Sequence, residues 1–370
     1  MHSWAGMKAV RVGSVAGIPV KIHWSFLIAL PLLALLFAEN VATAARVVGA
    51  DPRSLSGAPW LWGLGLTLAL FLSVLVHELA HALYARRRGA AVQDITLLMI
   101  GGVSRIGDPP RARHEAIMAL AGPGASLALG VAAGAGYLAT PATWQEGRVA
   151  LILFAEMNLL LGLFNLVPAF PMDGGRVLRA VLAGRLGPVR ATRVASRVGK
   201  AFAVAFVVGG VMGGGLFLIL IGGFVFLGAD AENRQVGMQS ALGRVRVRDL
   251  MSGPVAAIDA HASVRQAAER MLREHRTAYP VVDAGHVVGV LTLGDVKKVP
   301  DERRGRVEAA QVAHRAPLVG PDDEAWTAFR AIIESDVPIL PVVERGEVVG
   351  AIDQSAIMRG VELGGLAGSR

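Results

Sequence analysis

The chain has 370 residues, 53% of them hydrophobic and only 18% charged, a balance too apolar for an ordinary soluble protein and one that several lipid-facing helices produce. Residues 1–239 hold 20 Lys and Arg against 11 Asp and Glu, whereas residues 240–370 hold 17 against 18, so the net charge of +8 belongs to the flanks of the apolar part. That distribution suits a lipid bilayer and, with no interleaving of basic and aromatic residues, excludes nucleic acid as a partner.

At the N-terminus, Lys8, Arg11 and Lys21 precede the apolar run Phe26 to Ala38, which leads to no small-residue cleavage site, so an uncleaved first membrane helix is expected and not a signal peptide. Windows of about 20 apolar residues place spans near Trp24 to Phe37, Leu61 to Ala85, Glu115 to Ala139, Val149 to Val167, Val194 to Gly210 and Leu216 to Leu227. The last two are open to a second reading, because Gly209, Gly210, Gly213, Gly214 and Gly215 suit either a tight hairpin or one long helix, which would leave five spans. Basic residues gather on alternate sides: Lys8, Arg11 and Lys21, then Arg86, Arg87, Arg88, Arg105, Arg111 and Arg113, then the arginines from Arg176 to Arg197 with Lys200. With six helices this puts both termini in the cytoplasm.

Two segments of the membrane region read as strand. Ile18, Val20, Ile22 and Trp24 alternate with polar residues or Pro19, and Asp94 to Ile106 is rich in β-formers and closed by a glycine pair. An exposed strand edge at the membrane rim would suit a protease, since a helical substrate must unwind before its backbone can be held. After Asp230 the chain turns polar, with a linker over 236–246. Beyond it lies a repeat of roughly 60 residues: Tyr279-Pro-Val-Val-Asp returns as Leu340-Pro-Val-Val-Glu, each copy after an amphipathic helix (Val264 to Glu274, Glu324 to Ser335), giving paired β-α-β-β-α units over 247–300 and 301–370.

The chemistry lies in the second span, at Val76-His77-Glu78-Leu-Ala-His81. On a helix His77 and His81 stand one turn apart on one face and can reach one ion, while Glu78 can take a proton from metal-activated water. With 9 His in the chain, the arrangement arises by chance in roughly 0.01 chains of this length. As a merely structural histidine pair it would leave three ionisable groups in an apolar helix at considerable cost. There is no cysteine, so a third ligand must be His or carboxylate. Asp173 is the candidate: the fourth span ends Phe164-Asn165-Leu-Val-Pro168-Ala-Phe-Pro171-Met-Asp173-Gly-Gly175, where prolines stop the helix and glycines permit a turn. By itself Asp173 also fits an ordinary turn residue before Gly-Gly. Glu156 and Asn158 on the fourth span are explained by packing or an outer-face position as well as by function, His23 and His114 read as solvated or capping residues, and Arg86 to Arg88 as the positive-inside anchor.

HELAH in an apolar helix together with FNLVPAFPMDGG, with IGGVSRI and LAGPGASL between them, resembles the site-2 protease family of intramembrane zinc metalloproteases over about residues 10–235. The resemblance implies His77, His81 and Asp173 as zinc ligands, Glu78 as catalytic base, and a substrate or transition-state role for Asn165; Met172 stands where Leu is commoner. It also implies single-span membrane proteins as substrates and a transmembrane protease domain over 1–235. The C-terminal repeat resembles a pair of cystathionine-β-synthase-type (CBS) modules, which implies cytoplasmic regulation, pairing into homodimers, and adenine nucleotide bound through Thr292 and Asp295 of Gly289-Val-Leu-Thr292-Leu-Gly-Asp295. The second copy departs, with Asp353 and Ala356 at those places. The expected fold is therefore a polytopic α-helical protein of the cell membrane, about six spans with short membrane-edge strands, joined to a cytoplasmic α+β tandem module. The rival is a transporter or channel gated by that module, with the polar membrane residues lining an ion path.

Overall fold

The computed structural model describes residues 9–99, 101–107, 112–253, 256–335 and 337–367; Lys8, Arg111 and the side chain of Arg113 lie outside the described set. The chain divides into two units, one ending at Arg234 and one beginning at Gln235.

The first unit runs β1 (Ala9–Val15), β2 (Ile18–His23), α1 (Ser25–Val47), α2 (Pro59–Arg87), β3 (Val92–Leu98), β4 (Gly101–Ile106), α3 (Ala112–Ala139), α4 (Gln145–Asn165), α5 (Asp173–Leu186), α6 (Pro188–Gly213) and α7 (Leu216–Leu242). All of these helices except α5 are long and apolar enough to cross a membrane, six among the described residues. Their outer faces carry exposed Leu27, Leu32, Leu35, Val131, Leu138, Val211 and Leu220, while α1 buries Ala29, Ala34, Ala44 and Ala45. Apolar side chains outside and small ones between helices are what lipid requires.

The glycine-rich stretch resolves as a hairpin: Gly214, left-handed at φ 68°, caps α6, and two spans result. Several elements differ from the expected bounds. α1 continues ten residues past Phe37, because Glu39 and Asn40 lower the hydropathy without breaking the helix, and the Asn40 amide donates back to the Leu36 carbonyl. α7 continues through Asp230, so most of the polar stretch taken for a linker is helix to Leu242. Its residues are good helix formers, and Lys200 holds Asp230 at 2.6 Å.

The strands form one sheet of order β1-β2-β3-β4, parallel between β2 and β3 and antiparallel elsewhere. The segment from Asp94 to Ile106 is thus part of a hairpin and not a single strand, and β1, whose side chains are mostly exposed, offered no alternation to read. Asp94 clamps three strands: it accepts from Lys21 on β2 at 2.8 Å and from Arg105 Nε on β4 at 2.9 Å. Burial opposes its charge, but the hydrogen bonds from Arg105 and Lys21 prevail and hold the carboxyl below the usual carboxylate range. His23 is buried, not solvated, though it does cap: its Nδ1 accepts from the Ser25 amide.

The second unit contains α8 (Val247–Leu250), β5 (Ile258–Asp259), α9 (Val264–Glu274), β6 (Ala278–Asp283), β7 (His286–Thr292), α10 (Leu293–Lys298), α11 (Ala309–Val312), α12 (Ala325–Ser335), β8 (Ile339–Glu344), β9 (Glu347–Asp353) and α13 (Gln354–Ala367). The repeat holds to the residue: β6 and β7 pair Val281 with Gly289, β8 and β9 pair Val342 with Gly350, and each hairpin has its irregularity immediately after that pair. Each copy has its own core, one around Tyr279, Val281 and Leu291, the other around Leu340, Val342 and Ile352.

Candidate metal centre

α2 presents His77 and His81 from one face, and both are buried. The two Nε2 atoms lie 3.1 Å from the same oxygen, Oδ2 of Asp173. Asp173 arrives there because α4 stops at Asn165 and the chain folds back at once into α5, whose first residue it is. The return is tight enough to need glycine. A Cβ on Gly174 would stand 2.3 Å from the carbonyl oxygens of Leu166 and Val167, and one on Gly175 would stand 2.6 Å from the Phe170 nitrogen. Arg179, one turn and a half into α5, ties that helix to Glu115 on α3 and Glu232 on α7.

The donor set fits a zinc ion. The His81 Nδ1 lies 2.6 Å from the Met118 carbonyl, which only accepts, so Nδ1 carries the proton. In a neutral ring Nε2 is then a lone pair, facing a carboxylate oxygen that is also acceptor-only. Two acceptors turned on each other at 3.1 Å repel unless a cation lies between them. The His77 Nδ1 is held by the Ser126 hydroxyl at 2.9 Å, leaving its Nε2 directed at the same point. Ligands each about 2.0–2.1 Å from a tetrahedral zinc are roughly 3.3 Å apart, close to the separations seen. Among the described residues this trio is the group of His and carboxylate whose ligand atoms converge, all within 4.8 Å.

α3 closes the pocket. A Cβ on Gly122 would stand 2.2 Å from His81 Nε2 and 2.6 Å from His77 Nε2, so the helix backbone itself lies over the two nitrogens. Met118, Gly122 and Ser126 are four residues apart, and this single stripe of α3 supplies both ring anchors and the bare wall between them. Gly122 and Ser126 lie within the LAGPGASL segment that carries the family resemblance, and a glycine and a serine at i and i+4 in an apolar helix are a usable signal.

Glu78, next to His77 on α2, is not among the groups whose ligand atoms converge. Its Oε2 accepts from the Ser104 hydroxyl at 2.6 Å, and β4 packs so closely that a Cβ on Gly102 would fall 2.5 Å from Glu78 Cγ. The strand edge and the carboxylate are therefore one assembly, which was not visible in sequence. A hydrogen bond to a charged group contributes about 1.5–3 kcal/mol, so Ser104→Ala is expected to lower the turnover of a membrane substrate about tenfold or more, with zinc content unchanged. Metal analysis alongside initial cleavage rates checks both halves.

The remaining site residues lie elsewhere. Asn165 ends α4 with its amide donating to the Leu161 carbonyl at 2.9 Å, and its described hydrogen bonds include none to the trio. Thr292 and Asp295 start α10 in the second unit as a reciprocal cap: Asp295 Oδ2 accepts from the Thr292 hydroxyl at 2.6 Å and from its amide at 3.1 Å. Asp295 Oδ1 faces Lys298 Nζ at 3.0 Å and His314 Nε2 at 2.6 Å. Burial opposes the charge on this carboxyl, but the hydrogen bonds from Thr292, Lys298 and His314 together hold it below the usual range.

Comparison with known proteins agrees with this chemistry. Residues 65–143 and 138–206 match the model of peptidase family M50, and residues 247–302 and 309–362 each match the CBS domain. The chain is 34% identical to Rip3 of Mycobacterium tuberculosis, named for zinc metalloprotease activity, over 97% of this chain and 94% of that one. It is 29% identical to zinc metalloprotease MJ0392 of Methanocaldococcus jannaschii over 96% of each. Among solved structures, a site-2 protease from Methanocaldococcus jannaschii is 32% identical with a TM-score of 0.46, over 61% of this chain and 96% of that one. The family match and the two metalloproteases similar over nearly the whole chain favour the protease over the transporter, and the chain belongs to the M50 family of site-2 zinc metalloproteases, as a multi-pass membrane protein with a tandem CBS region.

Proposed function

We propose that His77, His81 and Asp173 hold the catalytic zinc, that Glu78 is the general base, and that the enzyme hydrolyses peptide bonds of single-span membrane proteins. The observation that carries this is the convergence of both Nε2 atoms on one carboxylate oxygen at 3.1 Å with both δ-nitrogens already engaged. A zinc ion held there would polarise the scissile carbonyl and acidify water. Glu78, oriented by Ser104, would take one proton from the attacking water as its oxygen joins the carbonyl carbon, and deliver it to the amine as the C–N bond breaks. The edge of β4 suits a substrate that has lost its helical hydrogen bonds, because an extended backbone finds partners there. Asn165, at the end of the span that leads to Asp173, is the candidate for a substrate contact.

The basic residues favour both termini on the cytoplasmic side of the cell membrane. The test is co-expression of wild type, His77→Ala and Asp173→Asn with tagged single-span proteins, following fragments and measuring zinc in the purified chains. Both variants are expected to lose fragments and zinc together. A zinc-loaded Asp173→Asn that still cleaves would remove Asp173 from the ligand set.

The second unit is read as the regulatory part, pairing two chains through its CBS domains and binding an adenine nucleotide beside Thr292 and Asp295. A cleft of about 420 Å³ lined by Val287, Val288, Gly289, Arg315, Ala316 and Leu318 lies next to that motif. Calorimetry on the full chain with ATP, ADP and AMP is expected to show binding by at least one, lost in Asp295→Ala. No heat with any of the three, or equal heat from the variant, would leave Thr292 and Asp295 as a helix cap alone.

A further inference from the structure

Hydrolysis makes no use of Glu156. It lies eleven residues from Gln145 and nine from Asn165, about 16 and 13 Å along the axis, near the middle of the membrane-crossing helix α4. Its side chain is exposed on the outside of the bundle. Among the described residues it has no hydrogen bond or ion pair. A glutamate is too short to reach the interface from that depth as lysine or arginine can, so hydrocarbon leaves it unsatisfied.

Leu160 and Leu163, 59% and 57% exposed, follow Glu156 at i+4 and i+7 and complete one stripe. Asn158, about 200° round the helix, is fully buried, and Gly162 meets Leu127 and the Pro123 carbonyl of α3. The stripe therefore faces away from α3, which walls the metal centre with Gly122 and Ser126. A substrate helix must reach that centre to be cut, so the back of α4 is the wrong face for it. A carboxyl in its acid form is a donor and an acceptor at once. Two such groups brought together by a twofold axis satisfy each other, and polar side chains at mid-membrane join helices in this way.

We propose that Glu156, flanked by Leu160 and Leu163, is a contact between two copies of this chain inside the membrane. The contact rests on α4 spanning the bilayer. It is independent of the zinc chemistry and separate from any pairing of the C-terminal units.

The chain has no cysteine, so Leu160→Cys introduces a single thiol. Oxidative cross-linking of the full chain in native membranes is expected to give several-fold more dimer from Leu160→Cys than from Leu32→Cys, a control thiol at a lipid-facing site on α1 that is 54% exposed. Adding Glu156→Leu should abolish that excess, whereas Glu156→Gln, again a donor and an acceptor, should keep most of it. Zinc content and cleavage in these variants report that they fold. Three results would each overturn the contact: no excess over Leu32→Cys, an excess that survives Glu156→Leu, or cross-links to a co-expressed single-span substrate in place of a second copy.

Discussion

Glu78→Gln is expected to lower cleavage of a verified membrane substrate by at least about a hundredfold, the lower end of what a general base contributes, with zinc at the wild-type level. The geometry separates the two readouts. Glu78 is one residue from His77 on α2 but is not among the three groups whose ligand atoms converge, so its amide leaves the metal site intact. Glutamine also keeps an oxygen to accept from Ser104 and nearly the same volume under Gly102, so packing is preserved while basicity is lost. Cleavage by Glu78→Gln at the wild-type rate would exclude the proton-transfer role.

The other large effect is expected at a residue with no side chain. Gly122→Ala would put a methyl group 2.2 Å from His81 Nε2 and 2.6 Å from His77 Nε2. Neither ring has room to turn aside, because Met118 and Ser126 fix the opposite nitrogens, and outer-shell anchors of this kind are worth 10–100-fold in metal affinity. Zinc occupancy in the purified variant should fall at least about tenfold, and proteolysis with it. Forcing a methyl group into so close a contact costs about 1–3 kcal/mol, more than the about 1 kcal/mol by which alanine is the better helix former, so the zinc-free variant should also melt somewhat below zinc-free wild type. Full zinc occupancy in Gly122→Ala would show that α3 does not wall the site.

What could be read in the chain beforehand was whatever has a fixed period or a fixed spacing. Six apolar stretches, the His77–His81 turn and the doubled Pro-Val-Val hairpins are local patterns, and each survives in three dimensions. The site's supports are not local: Ser126 is 49 residues from the ring it anchors, and Ser104 is 26 from the carboxylate it orients. β1 leaves no mark in the sequence because an exposed strand needs no alternation, and the end of α7 leaves none because helix propensity outlasts hydropathy. Asn165 remains a residue whose motif is plain and whose side-chain hydrogen bond among the described residues is to its own helix. Thr292 and Asp295 show a converse limit, since one pattern serves both a helix cap and a ligand site.

The stripe Met118, Gly122, Ser126 makes the axial setting of α3 decisive. A slide of α3 along α2 by the rise of one residue, about 1.5 Å, is more than hydrogen bonds of 2.6 and 2.9 Å can absorb. Pro123 lies within α3 directly after Gly122; it has no amide proton to give the carbonyl one turn back, so the helix is softest where the site is tightest. A shift well short of a full turn would therefore disable hydrolysis without displacing any ligand from its own helix. Hydrolysis thus depends on helix register as well as on His77, His81 and Asp173 themselves.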